Sequence, residues 1–317
     1  MKGFLSVLIV ATMGLVSLTA CEYKELEDIT GQTNSVAIRF NWINVDSIPQ
    51  CMRLAFYPEN SSAYNRGYTL VDVKNDTVVQ LVNGRYSMIA WNNDTEHVLV
   101  DGYDKPETAV ATTGKYSAHG DKKMPKVLDS IYHDRRILDY PDYMIHANNA
   151  NINIGNNDGQ YINITPDSMV VTVEVVLNGI KGLEHCHKIR CSIDNVAGKR
   201  YIAYPNKTDD NVIVMFDGIA NKIDNCVTAK FFLFGTEPTQ QEKLQHKLLC
   251  FFWITGNQIF IPIDVTKVVH NNRNKKYIKI VTPELNINLK DYIRQGDTMM
   301  DVDAEDWGQT EEITIGF

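Results

Sequence analysis

Val36-Ala37-Ile38-Arg39-Phe40-Asn41-Trp42 places a large apolar side chain at every second position, and that spacing decides the fold class. Successive residues of a strand point to opposite faces, so Val36, Ile38, Phe40 and Trp42 line one buried face of a β-strand. Working outward, Met52, Leu54 and Phe56 repeat the pattern before Tyr57-Pro58 ends it. Segments 77–81 and 85–91 flank Val82-Asn83-Gly84, whose Asn-Gly pair suits positive φ and predicts a hairpin turn. Val98-Leu99-Val100 follows, closed by Asp101-Gly102.

A second β block begins near Thr165-Pro166-Asp167. Val171, Val173, Val175 and Leu177 alternate with Thr172, Glu174 and Val176, and more strands are predicted over 189–193, 212–216, 227–234, 244–254, 258–263 and 277–281. Thr255-Gly256-Asn257 reads as the turn of another hairpin. Short strands separated by turn signals, with almost no helical periodicity, are the signature of a β-sandwich. Between the blocks, over 103–157, the alternation fades. Pro106, Gly114, Gly120, Pro125 and Pro141 punctuate it, and Asn148, Asn149, Asn151, Asn153, Asn156 and Asn157 crowd its end. Loops and short strands are predicted there, with one short helix over 126–137. The chain is long for a single domain, so two tandem sandwiches are expected, 34–164 and 165–317. The second closes with a polar, acidic stretch, Trp307, and a terminal strand over 311–317 that puts Ile313, Ile315 and Phe317 on one face.

The N-terminus is of another kind. Lys2 precedes an apolar run over 4–18, and Leu18-Thr19-Ala20-Cys21 closes it. The run falls short of the roughly 20 residues a spanning helix needs, and a positive start with small residues at its end marks residues 1–20 as a signal peptide. Leu18, Thr19, Ala20 and Cys21 together resemble the bacterial lipobox, which implies cleavage before Cys21 and diacylation of that residue. Two or three acyl chains, at about 0.8 kcal/mol per buried methylene, make such an anchor effectively permanent. Residues 21–33 then form a lipidated tether, acidic through Glu22, Glu25, Glu27 and Asp28 around Lys24.

Composition excludes several classes of function. The whole chain carries 31 basic against 39 acidic residues, a net charge of −8. It has no basic stripe that would meet a nucleic acid. Beyond Cys21, five cysteines remain: Cys51, Cys186, Cys191, Cys226 and Cys250. An odd number leaves at least one thiol free or paired with another chain, and the four in the second half allow three pairings. No His-Glu-x-x-His, Gly-x-Ser-x-Gly or phosphate-binding glycine loop is present. The mixed charges of 129–136 lack catalytic spacing. The best metal-ligating set is His185 and His187, which share a strand face, with Cys191 expected around a turn; one such cluster is less than structural zinc sites show. The chain reads as a non-enzyme without a cofactor.

Taken in order, the lipobox, Val-Ala-Ile-Arg-Phe-Asn-Trp (36–42), Met-Arg-Leu-Ala-Phe-Tyr-Pro-Glu (52–59), Val-Asn-Gly-Arg-Tyr (82–86), Trp-Asn-Asn-Asp-Thr-Glu (91–96) and Glu305-Asp306-Trp307 resemble a lipoprotein family of Bacteroidales defined as a domain of unknown function. More distantly, the chain resembles the fimbrillin and fimbrial-anchor proteins of the same bacteria. That resemblance implies transthyretin-like or immunoglobulin-like sandwiches on an outer-membrane lipid anchor. It also implies a surface-exposed, structural or adhesive role with fimbrial subunits as partners, and no catalytic residues. The acids after Cys21 resemble a surface-export signal. Five Asp-(Ser/Thr)-aliphatic triplets resemble an O-glycosylation acceptor pattern, at Ser47, Thr77, Ser130, Ser168 and Thr298. The alternative role is a module binding glycans or a host protein, for which Tyr64, Tyr68 and Tyr103 on loops would offer stacking surfaces.

Overall fold

Alternation builds strands through most of the chain. The computed structural model describes residues 33–59, 67–115, 132, 135–155, 159–237, 244–255, 257–272, 275–293 and 310–312. Up to the expected boundary the strands are β1 (Thr33–Phe40), β2 (Met52–Pro58), β3 (Thr69–Val73), β4 (Thr77–Val82), β5 (Gly84–Asn92), β6 (Val98–Asp101), β7 (Val110–Thr113), β8 (Ile137–Asp139), β9 (Ile145–Ile154) and β10 (Tyr161–Ile164). Beyond it come β11 (Asp167–Ser168), β12 (Val171–Lys181), β13 (Cys186–Tyr201), β14 (Thr208–Asp217), β15 (Ile219–Asn221), β16 (Cys226–Leu233), β17 (Lys247–Ile254) and β18 (Asn257–Asp264). A short helix α1 (Thr266–Asn271), β19 (Tyr277–Asn288) and β20 (Thr310–Glu312) complete the order. The fold is all-β. No helix among the described residues is long and apolar enough to cross a membrane.

Two pairs of sheets each close on a core. The first pair has strand orders β10-β1-β4 and β11-β9-β5-β2-β3. Between these sheets lie Val36, Ile38, Leu54, Phe56, Leu81, Met88 and Ile152. Phe40 and Trp42 stack on each other at 4.7 Å, half-buried at the margin of that core. The second pair has orders β15-β16-β12-β19 and β20-β18-β17-β13-β14-β8. It encloses Val173, Val175, Leu177, Ile193, Phe231, Phe252 and Ile261 among others. Removing each such side chain from water contributes about 1.5–3 kcal/mol, which is why the alternating positions specify the register.

Two expectations are corrected. Val82-Asn83-Gly84 is not a hairpin turn: β4 pairs with β1 in one sheet, and β5 pairs with β2 and β9 in the other. A single residue, Asn83, carries the chain across the core edge, and the Asn34 side-chain amide donates to Asn83 Oδ1 there. Both flanking strands feed the same core from opposite sides, so their alternation matches that of a hairpin. The asparagine-rich stretch is also largely strand. In β9, Ile145 and Ala147 face the core, and so do Ile152 and Ile154, with opposite parity. The change of parity is a β-bulge: Asn151 adopts φ 71°, and β9 advances three residues against two of β5 between the Met88↔Asn149 and Tyr86↔Ile152 pairs. β17 and β18 do pair as a hairpin, with Ile254 opposite Asn257.

Hydrogen bonding does not follow the line drawn at 164/165. β7 pairs with β6 on one side and β13 on the other, and β8 adds in parallel to β14, so all three join the second pair of sheets. A third apolar cluster joins the two halves: Tyr57, Ile89, Trp91 and Met144 from the first meet Ala197, Ile202 and Phe234 from the second. The helix expected over 126–137 lies largely outside the described residues.

Candidate functional site

Several expected site residues lie outside the described residues: Leu18, Thr19, Ala20, Cys21, Glu22, Lys24, Glu25, Glu27, Asp28, Tyr64, Ser130 and Thr298, with the apolar residues of the terminal strand, Ile313, Ile315 and Phe317. The described acceptor positions differ from one another. Ser47 is exposed on the bend between β1 and β2. Thr77 is half-buried at the start of β4, opposite Ile38. Ser168 is half-buried too, and its hydroxyl donates to the Val170 carbonyl at 3.0 Å.

Tyr68 and Tyr103 are not open stacking platforms. Both are half-buried against the cluster that joins the halves. Tyr68 meets Tyr103 edge-on at 6.2 Å, Tyr103 lies 5.7 Å from Trp91, and the Tyr57 hydroxyl donates to the Tyr103 carbonyl at 2.7 Å. Burial pushes the Tyr57 phenol well up from its ordinary value, so it stays a donor. The most exposed aromatic among the described residues is instead Tyr161 at the start of β10, 55% accessible, with the Arg39 guanidinium 4.7 Å above its ring. It lines an open cleft of about 480 Å³ together with Asn149, Asn153, Gln160 and Asn163. An aromatic face surrounded by amides can stack on a sugar ring and exchange hydrogen bonds with its hydroxyls. No periodicity signals this cleft, since its polar residues alternate with the core residues of β9 and β10.

His185, His187 and Cys191 do not come together. Because β13 runs unbroken from Cys186, Cys191 lies four residues along from His187, about 13 Å away, rather than around a turn. Cys191 points into the second core, directly opposite Cys250 on β17. Burial raises the Cys250 thiol well above its ordinary value. His187 Nε2 sits 3.3 Å from Thr255 Oγ1, and His185 Nε2 lies 3.5 Å from Glu184. Cys186, Cys191, Cys226 and Cys250 carry free thiols.

Among the described residues, one group of three potential metal ligands does converge. Glu237, His246 and His270 each bring a ligand atom within 4.8 Å of the others. Glu237 follows β16, and its backbone carbonyl accepts from Thr208 Oγ1 at 2.7 Å. His246 immediately precedes β17, and His270 sits in the last turn of α1. The His246 ring is fully buried, and its Nδ1 lies 3.1 Å from the Asp194 carbonyl. Burial lowers its basicity below that of a free imidazole. Spacings of nine and 24 residues between the three give no motif; the hairpin of β17 and β18 and the helix after it bring them together.

The other exposed feature is a sheet edge. β20 adds in parallel to β18, with Gln258 opposite Thr310, Ile259 opposite Glu311 and Phe260 opposite Glu312. The C-terminal segment thus covers, at 258–260, part of the row of backbone groups that β18 would otherwise present to another chain.

Comparison with known proteins agrees with this architecture. Residues 20–217 match the model of a family described as "Domain of unknown function (DUF5119)". A protein of Bacteroides ovatus (strain ATCC 8483) named "Putative fimbrium anchoring subunit Fim4B" is 24% identical over 281 residues, covering 86% of this chain and 81% of its own. Of solved structures, a "putative adhesin" from Bacteroides ovatus ATCC 8483 superposes with a TM-score of 0.64 at 21% identity, covering 89% of this chain and 99% of the other. A second "putative adhesin" from Bacteroides ovatus superposes with a TM-score of 0.50 at 6% identity, covering 81% and 91%. These two matches establish a shared fold. The family match takes in more than half of the chain, from the end of the expected leader through the first core and into the second as far as β14, and the chain therefore belongs to the DUF5119 family.

Proposed function

We propose that this protein is a cell-surface lipoprotein that anchors a fimbrial filament or serves as its accessory subunit. The observation that carries the reading is the alignment with the fimbrium anchoring subunit along 86% of this chain, which includes both pairs of sheets. The start of the family match at Ala20 supports an anchor at Cys21, because the shared unit then begins where the leader ends. Leu18, Thr19 and Ala20 would direct cleavage, the acidic tether would carry the protein to the outer leaflet of the outer membrane, and two sandwiches would stand clear of it. Exposed Ser47 suits glycosylation best of the described triplets. No step of this role requires catalysis.

Isolation of the tagged chain from native envelopes tests the role. Fimbrial subunits should co-purify with it, and Cys21→Ala should lose palmitate label and leave the membrane fraction. Recovery without any fimbrial subunit, from cells that make fimbriae, would reject the anchoring role. A second reading, a glycan-binding module, rests on the cleft of Tyr161, Asn149, Asn153, Gln160 and Asn163. Glycan-array binding that Tyr161→Ala abolishes would favour it.

A further inference from the structure

We propose that Glu237, His246 and His270 form a binding site for one divalent transition-metal ion of the zinc class. Three observations carry it. The ligand atoms of the three side chains already lie within 4.8 Å of one another. Around a tetrahedral ion with bonds of about 2.0–2.1 Å, ligand atoms stand roughly 3.4 Å apart, so small side-chain rotations close the site.

The second observation is the state of His246. A backbone carbonyl can only accept, so the contact of Nδ1 with the Asp194 carbonyl places the ring proton on Nδ1. Nε2 then carries a lone pair. It is fully buried and has no hydrogen-bond partner among the described residues. A buried acceptor without a donor is costly, and a metal ion is the partner a lone-pair imidazole nitrogen takes best. The Asp194 carbonyl supplies the second contact that orients metal-bound histidines.

The third is the chemistry and accessibility of the donor set. Two imidazoles and one carboxylate suit zinc, cobalt, nickel or copper, whereas calcium and magnesium require an oxygen cage. The side chains of Glu237 and His270 are 21% and 17% accessible, which leaves a way in from solvent and a fourth position for water. His270 Nε2 lies 3.7 Å from Glu237 Oε1 and 2.9 Å from the Leu244 carbonyl, to which it donates, so this nitrogen must give up that bond and its proton before it ligates. A bound ion would tie the segment after β16, the start of β17 and α1 to one point. Because that point exists only in the folded chain, the ion would stabilise the fold.

The test uses the full chain purified in detergent, stripped with EDTA and dialysed against zinc. Metal analysis should find one zinc per chain, cobalt should give the intense visible absorption of a tetrahedral site, and saturating zinc should raise Tm by about 5 °C or more. Calcium at the same concentration should do none of this. His246→Ala removes a buried ring and could unfold the protein, so the deciding variants are the partly exposed Glu237→Gln and His270→Ala. Each should weaken zinc binding by about tenfold or more, while keeping the stripped wild-type circular dichroism spectrum and Tm. The proposal is overturned if the stripped wild type takes up no zinc, or if both variants bind zinc and shift Tm as the wild type does.

Discussion

Arg200 Nη1 donates to the Met169 carbonyl at 2.6 Å, and this bond fastens the long strand β13 to the segment that leads out of the first pair of sheets. The same nitrogen donates to the Phe234 carbonyl at 3.1 Å, and Nε donates to Pro205. All of these partners are backbone carbonyls, and burial lowers the guanidinium to a pKa of about 10. Arg200→Met keeps the stem and removes the donors, leaving acceptors stranded beside fully buried Met169 and Phe234. The cost should be about 2–4 kcal/mol, less than the sum of the separate bonds because desolvation of the charge is relieved. Urea unfolding followed by tryptophan fluorescence checks it, since Trp91 lies in the same joining cluster. An unchanged midpoint would mean that the apolar cluster alone couples the halves.

Gly179 holds a bulge between β12 and β19. Its φ is 74°, and a Cβ there would come 2.8 Å from the Leu285 backbone nitrogen. The register of the two parallel strands shifts on either side of Asn178. Gly179→Ala should therefore cost about 2–3 kcal/mol, or roughly 5–10 °C in Tm. Gly114→Ala is the control, because a Cβ there meets nothing within 4 Å. Equal melting of the two variants would refute the bulge as the reason for this glycine.

His146 gives the fold an acid limb. Burial, with the Arg200 charge adding to it, lowers its pKa from 6.5 to about 4. A base with a depressed folded pKa binds fewer protons folded than unfolded between those values. The stability it permits is intact above pH 6.5 and is lost as pH falls toward 4, by up to about 3 kcal/mol. His146→Gln should flatten the fall in stability between pH 6.5 and 4. Denaturant melts of both proteins across that range test the sign: a wild type that gains stability on acidification excludes His146 as the dominant group.

The sheets were legible wherever one face is buried and the other wet, as at Val36, Ile38, Val173 and Val175. The pairing was not. Strands β4 and β5 alternate as a hairpin would, and only the shared core between two sheets separates them. At β9 a single αL asparagine inverted the parity and hid ten residues of strand behind an asparagine run. Sites fared worse for a related reason. The histidine and cysteine set is close in sequence, but strand β13 holds its members apart. Glu237, His246 and His270 are distant in sequence and meet only through the hairpin and helix between them. Tyr68 and Tyr103 were expected on loops, but loops over the joining cluster are where aromatic rings pack.

The last prediction concerns the parallel pairing of β20 with β18. Only three residue pairs are involved, yet they cover one edge of the larger sheet, whose next strand carries Ile259, Ile261 and Ile263 into the core. Deleting Thr310 to Phe317 would bare that edge, and an uncovered edge beside apolar residues invites pairing with a second chain. The truncated protein should melt about 5 °C or more below the full chain, and it should form dimers or larger species on size-exclusion chromatography. A synthetic peptide of residues 308–317 should reverse both effects, since main-chain bonds alone set most of the affinity of an added strand. The opposite outcome is equally specific. If the truncated monomer melts as the full chain does and stays monomeric, while fimbrial subunits no longer co-purify with it, the segment does not close its own sheet. It is then a strand offered to the edge of a neighbouring subunit, with β18 only its resting place.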